Sequence, residues 1–234
     1  MSDTNPPPLP AEPVPGSLSE LLKTPDRYSL GILGDVAPVK RIASSLAAAV
    51  VGFALYFFAA GFFAGWQIAL LDAAKGAGIA LFAFALCLPS LYVFSCVSGA
   101  TLRAGQIVAA GAACLATAGM LLAALAPVLW LFAVSTTSAA FVAFLGALLS
   151  APAMWFAVRP ALGLKTAGAV RTTAGLRLWL AAFTVVAMQT VTLLRPMLAA
   201  PAAKPAEGEE AAAEASAMPD KMFFLEHFFR LLDE

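Results

Sequence analysis

The sequence predicts an all-α fold, a polytopic transmembrane helix bundle of about five spans, and three observations carry that expectation. Of the 234 residues, 61% are hydrophobic and 12% charged, whereas soluble domains carry roughly a quarter charged residues. The mean hydropathy is +0.86, more apolar surface than a water-soluble globule of this size can bury. The charges gather in the N-terminal tail, the segment 159–177 and the C-terminal tail, leaving charge-free runs at 42–71, 76–102, 104–158 and 178–194. A helix needs roughly 20 apolar residues, at about 1.5 Å each, to cross a hydrocarbon core.

Residues 1–40 form an N-terminal tail with a proline-rich start, Pro6 to Pro10 and on to Pro15. It lacks the basic cluster and adjoining apolar core of a signal peptide, so no cleavage is expected there. A PxxP-type ligand is the alternative to a disordered tail. Ser17-Leu18-Ser19-Glu20 matches a capping box, in which serine and glutamate each satisfy a free backbone amide. A short polar helix is expected after it.

The bundle occupies 41–198, with spans expected at 42–65, 76–98, 105–133, 139–158 and 178–195. Asp72 and Lys75 fall in the connection between the first two spans. The run 104–158 would extend to roughly 80 Å as a single helix, more than twice a hydrocarbon core. It must therefore reverse, and Val134-Ser135-Thr136-Thr137-Ser138 is the polar cluster near its middle. All four tryptophans, Trp66, Trp130, Trp155 and Trp179, lie near these boundaries, where indole prefers the headgroup level.

Basic loops tend to remain cytoplasmic. With the N-terminus inside, the cytoplasmic segments hold Lys23, Arg27, Lys40, Arg41, Arg103, Arg159, Lys165, Arg171 and Arg177, against Lys75, Arg195 and Lys204 on the other side. The expected orientation is N-terminus cytoplasmic and C-terminus outside.

Helices in lipid associate through small-residue packing and a few interhelical hydrogen bonds. Gly61 and Gly65 form a GxxxG pair, and Ala109, Ala112, Ala113, Ala116 and Gly119 offer a second small-residue face. Intramolecular packing is the first use expected of them, self-association or another protein partner the second. Pro89, Pro127 and Pro152 sit within successive spans, where each removes a backbone hydrogen bond. Ser90, Ser95, Cys96 and Tyr92 are placed to satisfy groups freed by Pro89 or to line a small polar pocket. Gln189 is the polar residue of the fifth span expected to face the bundle. Cys87, Cys96 and Cys114 form no CxxC pair and read as small apolar residues between helices.

After the spans, 199–220 is an alanine, proline and glutamate linker of disordered type. Residues 221–234 then place Met222, Phe224, Leu225, Phe228, Phe229, Leu231 and Leu232 on one helical face. Such a helix is too short to span and should lie on the interface or the bundle. His227, the single histidine, falls on its polar side as a solvated group.

Intramembrane catalysis, metal binding and ion-coupled transport call for ionisable groups at membrane depth. None is expected in the middle of a span, so no catalytic, cofactor or metal residues are assigned and no enzyme activity is expected. Net charge is zero, which gives no basic stripe for nucleic acid. The lipid bilayer is the partner that composition demands.

The run Leu86-Cys87-Leu88-Pro89-Ser90-Leu91-Tyr92, the five spans after a cytoplasmic N-terminal region, Leu194-Arg195-Pro196 and the Phe-rich C-terminus together resemble Yip1-like membrane proteins, in particular their uncharacterised bacterial relatives. The resemblance covers about residues 20–234. It implies a five-span protein of the bacterial cytoplasmic (inner) membrane. Eukaryotic Yip1 proteins act in vesicle trafficking and bind small GTPases; their acidic-aromatic motif is not found before the first span here, so that role does not carry over. The first function expected is a non-enzymatic scaffold or accessory subunit of a membrane complex, the second a transporter or channel-like protein for a neutral or lipidic solute, and the third an anchor whose tails recruit a soluble enzyme.

Overall fold

A computed structural model describes residues 18–34, 39–136 and 138–193. The proline-rich start, Arg195, the linker 199–220 and the amphipathic segment 221–234 lie outside the described residues. Within them the fold is all-α: α1 (Leu18–Lys23), α2 (Pro25–Gly34), α3 (Val39–Gly61), α4 (Trp66–Val97), α5 (Ala104–Ser135), α6 (Ala139–Phe156), α7 (Arg159–Thr166) and α8 (Ala174–Leu193). Four stretches, Val39–Ala64, Trp66–Val97, Ala104–Ser135 and Phe141–Thr166, are long and apolar enough to cross a membrane. A fifth apolar helix, Ala174–Thr190, is shorter.

The bundle is organised around α5. Its buried residues run without a break from Ala109 to Gly119, and 61% of its apolar window is buried, against 17% for the window through α6. The reason is side-chain size. Without water between helices, association depends on how closely backbones approach, and this segment is mostly alanine and glycine. The tightest approach is to α3: a Cβ on Gly119 would stand 2.9 Å from Ala49 Cα, and one on Gly52 would fall on the Gly119 carbonyl. Around this pair α4 packs on α3, α6 on α5 and α8 on α4.

The reversal between the third and fourth spans falls where the hydroxyl cluster predicts it. Ser138 caps α6, its Oγ accepting from the Phe141 amide at 3.3 Å, which satisfies one of the donors a helix start leaves open.

The second span departs from expectation. α4 begins at Trp66 rather than at 76, because only a 3-10 turn (Phe62–Ala64) and Gly65 at φ 110° separate it from α3. Positive φ is cheap for glycine, so the chain reverses within a few residues. Asp72 and Lys75 consequently lie inside α4, and Asp72 is 2% exposed. A 32-residue helix reaches about 48 Å against a hydrocarbon core of about 30 Å. Centred on such a core, the helix would overhang it by about 9 Å at each end, and Asp72, about 9 Å from the helix start, would then fall at the boundary. A charge inside a helix longer than the core need not mark the helix end.

Trp179 also departs. Instead of lying at the headgroups it is fully buried, its Nε1 donating to the Cys87 carbonyl at 2.9 Å and its ring packed on Phe84 and Phe183. An indole suits an interface belt or a core that offers an acceptor, and here α4 supplies the acceptor. Trp66, Trp130 and Trp155 remain exposed, as belt residues do.

Candidate functional site: a basic layer at one end of the bundle

α3, α5 and α8 start, and α4 and α6 end, at the same end of the bundle, where α1, α2, α7 and the segments 98–103 and 167–173 form a layer across them. Local sequence explains the elements. Pro160 stands in the first turn of α7, where its missing amide costs nothing and its fixed φ suits the helix. Gly168 at φ 74° turns the chain away after α7.

Hydrogen bonds tie the layer to the spans. Tyr28 hydroxyl and Ser45 Oγ lie 2.7 Å apart, joining α2 to α3, and both residues are buried. Ser29 Oγ stands 2.8 Å from both the Pro25 and Pro160 carbonyls, joining α2 to α7. Gly163 admits this crossing, since a Cβ there would be 2.6 Å from Ser29 Oγ. At the start of α5, Gln106 Oε1 accepts from the Arg103 amide, while Nε2 donates to the Leu33 and Ile32 carbonyls at 3.0 and 3.3 Å. One side chain thus serves the first turn of one helix and the last turn of another, the positions where backbone groups lack helical partners. Across the next connection the Thr101 amide donates to the Ala169 carbonyl. Ser98 Oγ donates to the Phe94 carbonyl and accepts from the Gly175 amide at 3.1 Å, fixing the start of α8 to α4.

The layer is basic. Lys23, Arg27, Lys40, Arg41, Arg103, Arg159, Lys165, Arg171 and Arg177 stand at this end, with Glu20 and Asp26 the acidic residues among those described. The Arg41 guanidinium lies 5.0 Å over the Tyr28 ring, and Arg159 lies 4.7 Å over Phe156. Such contacts orient a guanidinium over the ring face. The layer therefore offers a positive surface of fixed shape at headgroup level, where each basic residue attracts anionic lipid by about 1 kcal/mol.

The residues singled out from sequence do not converge on one site. Gly61 closes α3 and packs on α4, where a Cβ would be 2.7 Å from Ala69 Cα and 3.0 Å from Asp72 Oδ2. Gly65 lies outside any helix and is exposed. The two therefore do not form a helix-face GxxxG pair, because that motif needs a helix running through both. Pro89 is inside α4 on its outer face, as are Pro127 in α5 and Pro152 in α6. Ser90 Oγ donates to the Cys87 carbonyl at 2.8 Å, not to the Ala85 carbonyl whose helical partner Pro89 removes. Tyr92 is 51% exposed and faces outward near the end of α4, a belt position rather than a bundle-facing one. Gln189 is half-buried on α8, while Thr184 and Thr190 return their hydroxyls to carbonyls of that helix. Cys87 and Cys114 are buried and Cys96 is exposed, all three as free thiols.

Sequence reading missed Ser29, Ser45, Gln106 and Gly52, which join the elements. Gln106, a lone amide three residues after Arg103, carried a visible signal: it fits the N3 place of a capping box. No group of three or more His, Cys, Asp or Glu gathers among the described residues. No protein family matches this chain, nor does any curated protein or solved structure.

Proposed function

We propose that this chain is a non-enzymatic integral membrane scaffold or accessory subunit of a bacterial cytoplasmic membrane complex, with the basic layer in the cytoplasm, the N-terminus inside and the C-terminus outside. The observation that carries the reading is the layer itself. α2 is tied by side-chain hydrogen bonds to α3, α5 and α7, which holds a cationic surface rigid relative to the spans. A rigid face loses little entropy when a partner docks. Its charge agrees with the cytoplasmic excess of Lys and Arg in membrane proteins. The Yip1-like resemblance implies a five-span protein of the bacterial cytoplasmic membrane and adds nothing on its role.

The lightly buried α6 offers a partner helix a side within the bilayer. Native mass measurement after gentle extraction tests the proposal. Assemblies heavier than one 24.1 kDa chain, containing another protein, are expected; a lone monomer under every mild condition would overturn it.

A further inference from the structure

Between the C-terminal half of α6 and the N-terminal half of α8 lies a cleft of about 680 Å³, within the roughly 300–1,000 Å³ typical of small-molecule sites. Its two levels differ in chemistry. Toward the membrane interior the walls are Ala151, Met154, Leu180 and Ala181. Thr184 joins them, and its hydroxyl is spent on the Leu180 carbonyl at 2.8 Å, so it adds no polar demand. Toward the basic layer the lining includes Arg159 and Arg177, with Asp26 the acidic residue beside them. Asp26 Oδ1 lies 3.4 Å from Thr166 Oγ1. Two guanidinium groups against one carboxylate leave the mouth positive.

We propose that this cleft is a binding site for one anionic phospholipid, its phosphate held by Arg159 and Arg177 and an acyl chain laid along Met154, Leu180 and Ala181. Three features select this occupant. Guanidinium forks match phosphate oxygens in geometry and charge. The apolar level lies below the charged one, in the order that headgroup and chain take within a leaflet. Phe156 holds the Arg159 guanidinium at the rim by its ring face, and Trp155, 80% exposed beside it, occupies the interfacial level that indoles favour. A water-soluble phosphate would satisfy the arginines and leave the apolar wall unused.

The test is native mass spectrometry of the full chain from nanodiscs of equal phosphatidylglycerol and phosphatidylcholine. Retention of one phosphatidylglycerol in preference to phosphatidylcholine is expected. Arg159→Gln or Arg177→Gln should each lower that retention about fivefold and the pair about thirtyfold. Ala181→Trp, which fills the groove and leaves every charge in place, should also lower it. The pair Lys165→Gln and Arg171→Gln removes equal charge from the same layer outside the cleft and weakens only the diffuse attraction to anionic lipid, so it should lower retention much less than the Arg159 and Arg177 pair does. Thermal unfolding of each variant separates loss of lipid from loss of fold. Equal retention of both lipids by the wild-type chain would overturn the proposal. So would an equal loss in the control pair, which means diffuse attraction, or displacement by millimolar glycerol phosphate, which means that the acyl groove is not used.

Discussion

Replacing Gly52 with valine probes the close backbone approach of α3 to α5. A Cβ at this position would stand 2.7 Å from Gly119 Cα and closer still to the Gly119 carbonyl, whereas carbon atoms prefer about 3.5–4.0 Å. The α3–α5 pair must therefore open by about an ångström, and a gap of that size forfeits a quarter to a half of each dispersion contact along it. Overpacking of this kind typically costs about 1–3 kcal/mol. For a chain of this length each kcal/mol corresponds to about 2–4 °C in Tm, so at about 3 kcal/mol the melting temperature should fall by roughly 6–12 °C.

The protein carries its own reporters for this assay. Cys87 and Cys114 are buried and Cys96 is exposed. In a Cys96→Ala background, a thiol-reactive fluorophore reads exposure of the other two as detergent-solubilised protein is heated. Gly78→Val is the control: it lies in α4 with nothing within 4 Å of a Cβ, and it carries the same change in helix propensity. Equal melting of the Gly52 and Gly78 variants would refute the argument that close backbone approach organises the bundle.

Two further substitutions test other contacts. Trp179→Phe removes the bond to the Cys87 carbonyl while keeping a ring, and should cost about 1 kcal/mol; Trp179→Ala should cost about 3–5 kcal/mol, and near-neutral melting of the alanine variant would place the indole at the headgroups instead. Gln106→Ala strips the side-chain donor from the Ile32 and Leu33 carbonyls, so deuterium exchange over 25–34 should rise several-fold with the spans unchanged, and unaltered exchange in α2 would remove Gln106 as the link between layer and bundle.

What was legible in the sequence follows from the physics of lipid. Charge-free runs name helices because every backbone group must be satisfied within the segment, and the serine and threonine cluster before Ala139 marked the reversal because the run was too long for one crossing. Contacts between helices are harder to read. In a helix apolar on all sides no face is distinguished by polarity, so Gly52 looked no different from Gly78 although one meets a backbone and the other open space. Asp72 and Lys75 misled for a related reason: charge reports depth in the membrane, and α4 is longer than the core is thick. Trp179 could serve either as a belt residue or as a core donor, and the deciding partner, a carbonyl 92 positions away in sequence, carries no side-chain signature. The basic layer was visible as cations, but not the serines and glutamine that bind it to the spans, since single hydroxyls and amides recur throughout such chains.

Accessibility of single cysteines to a membrane-impermeant maleimide tests the central claim most directly. In a cysteine-free background within sealed right-side-out vesicles, Gln67→Cys and Ser135→Cys, both exposed at one end of the bundle, should label at once. Arg103→Cys and Lys165→Cys, exposed at the other end, should label only after permeabilisation. Labelling of all four positions to the same extent in sealed vesicles would mean that these helices do not cross the bilayer.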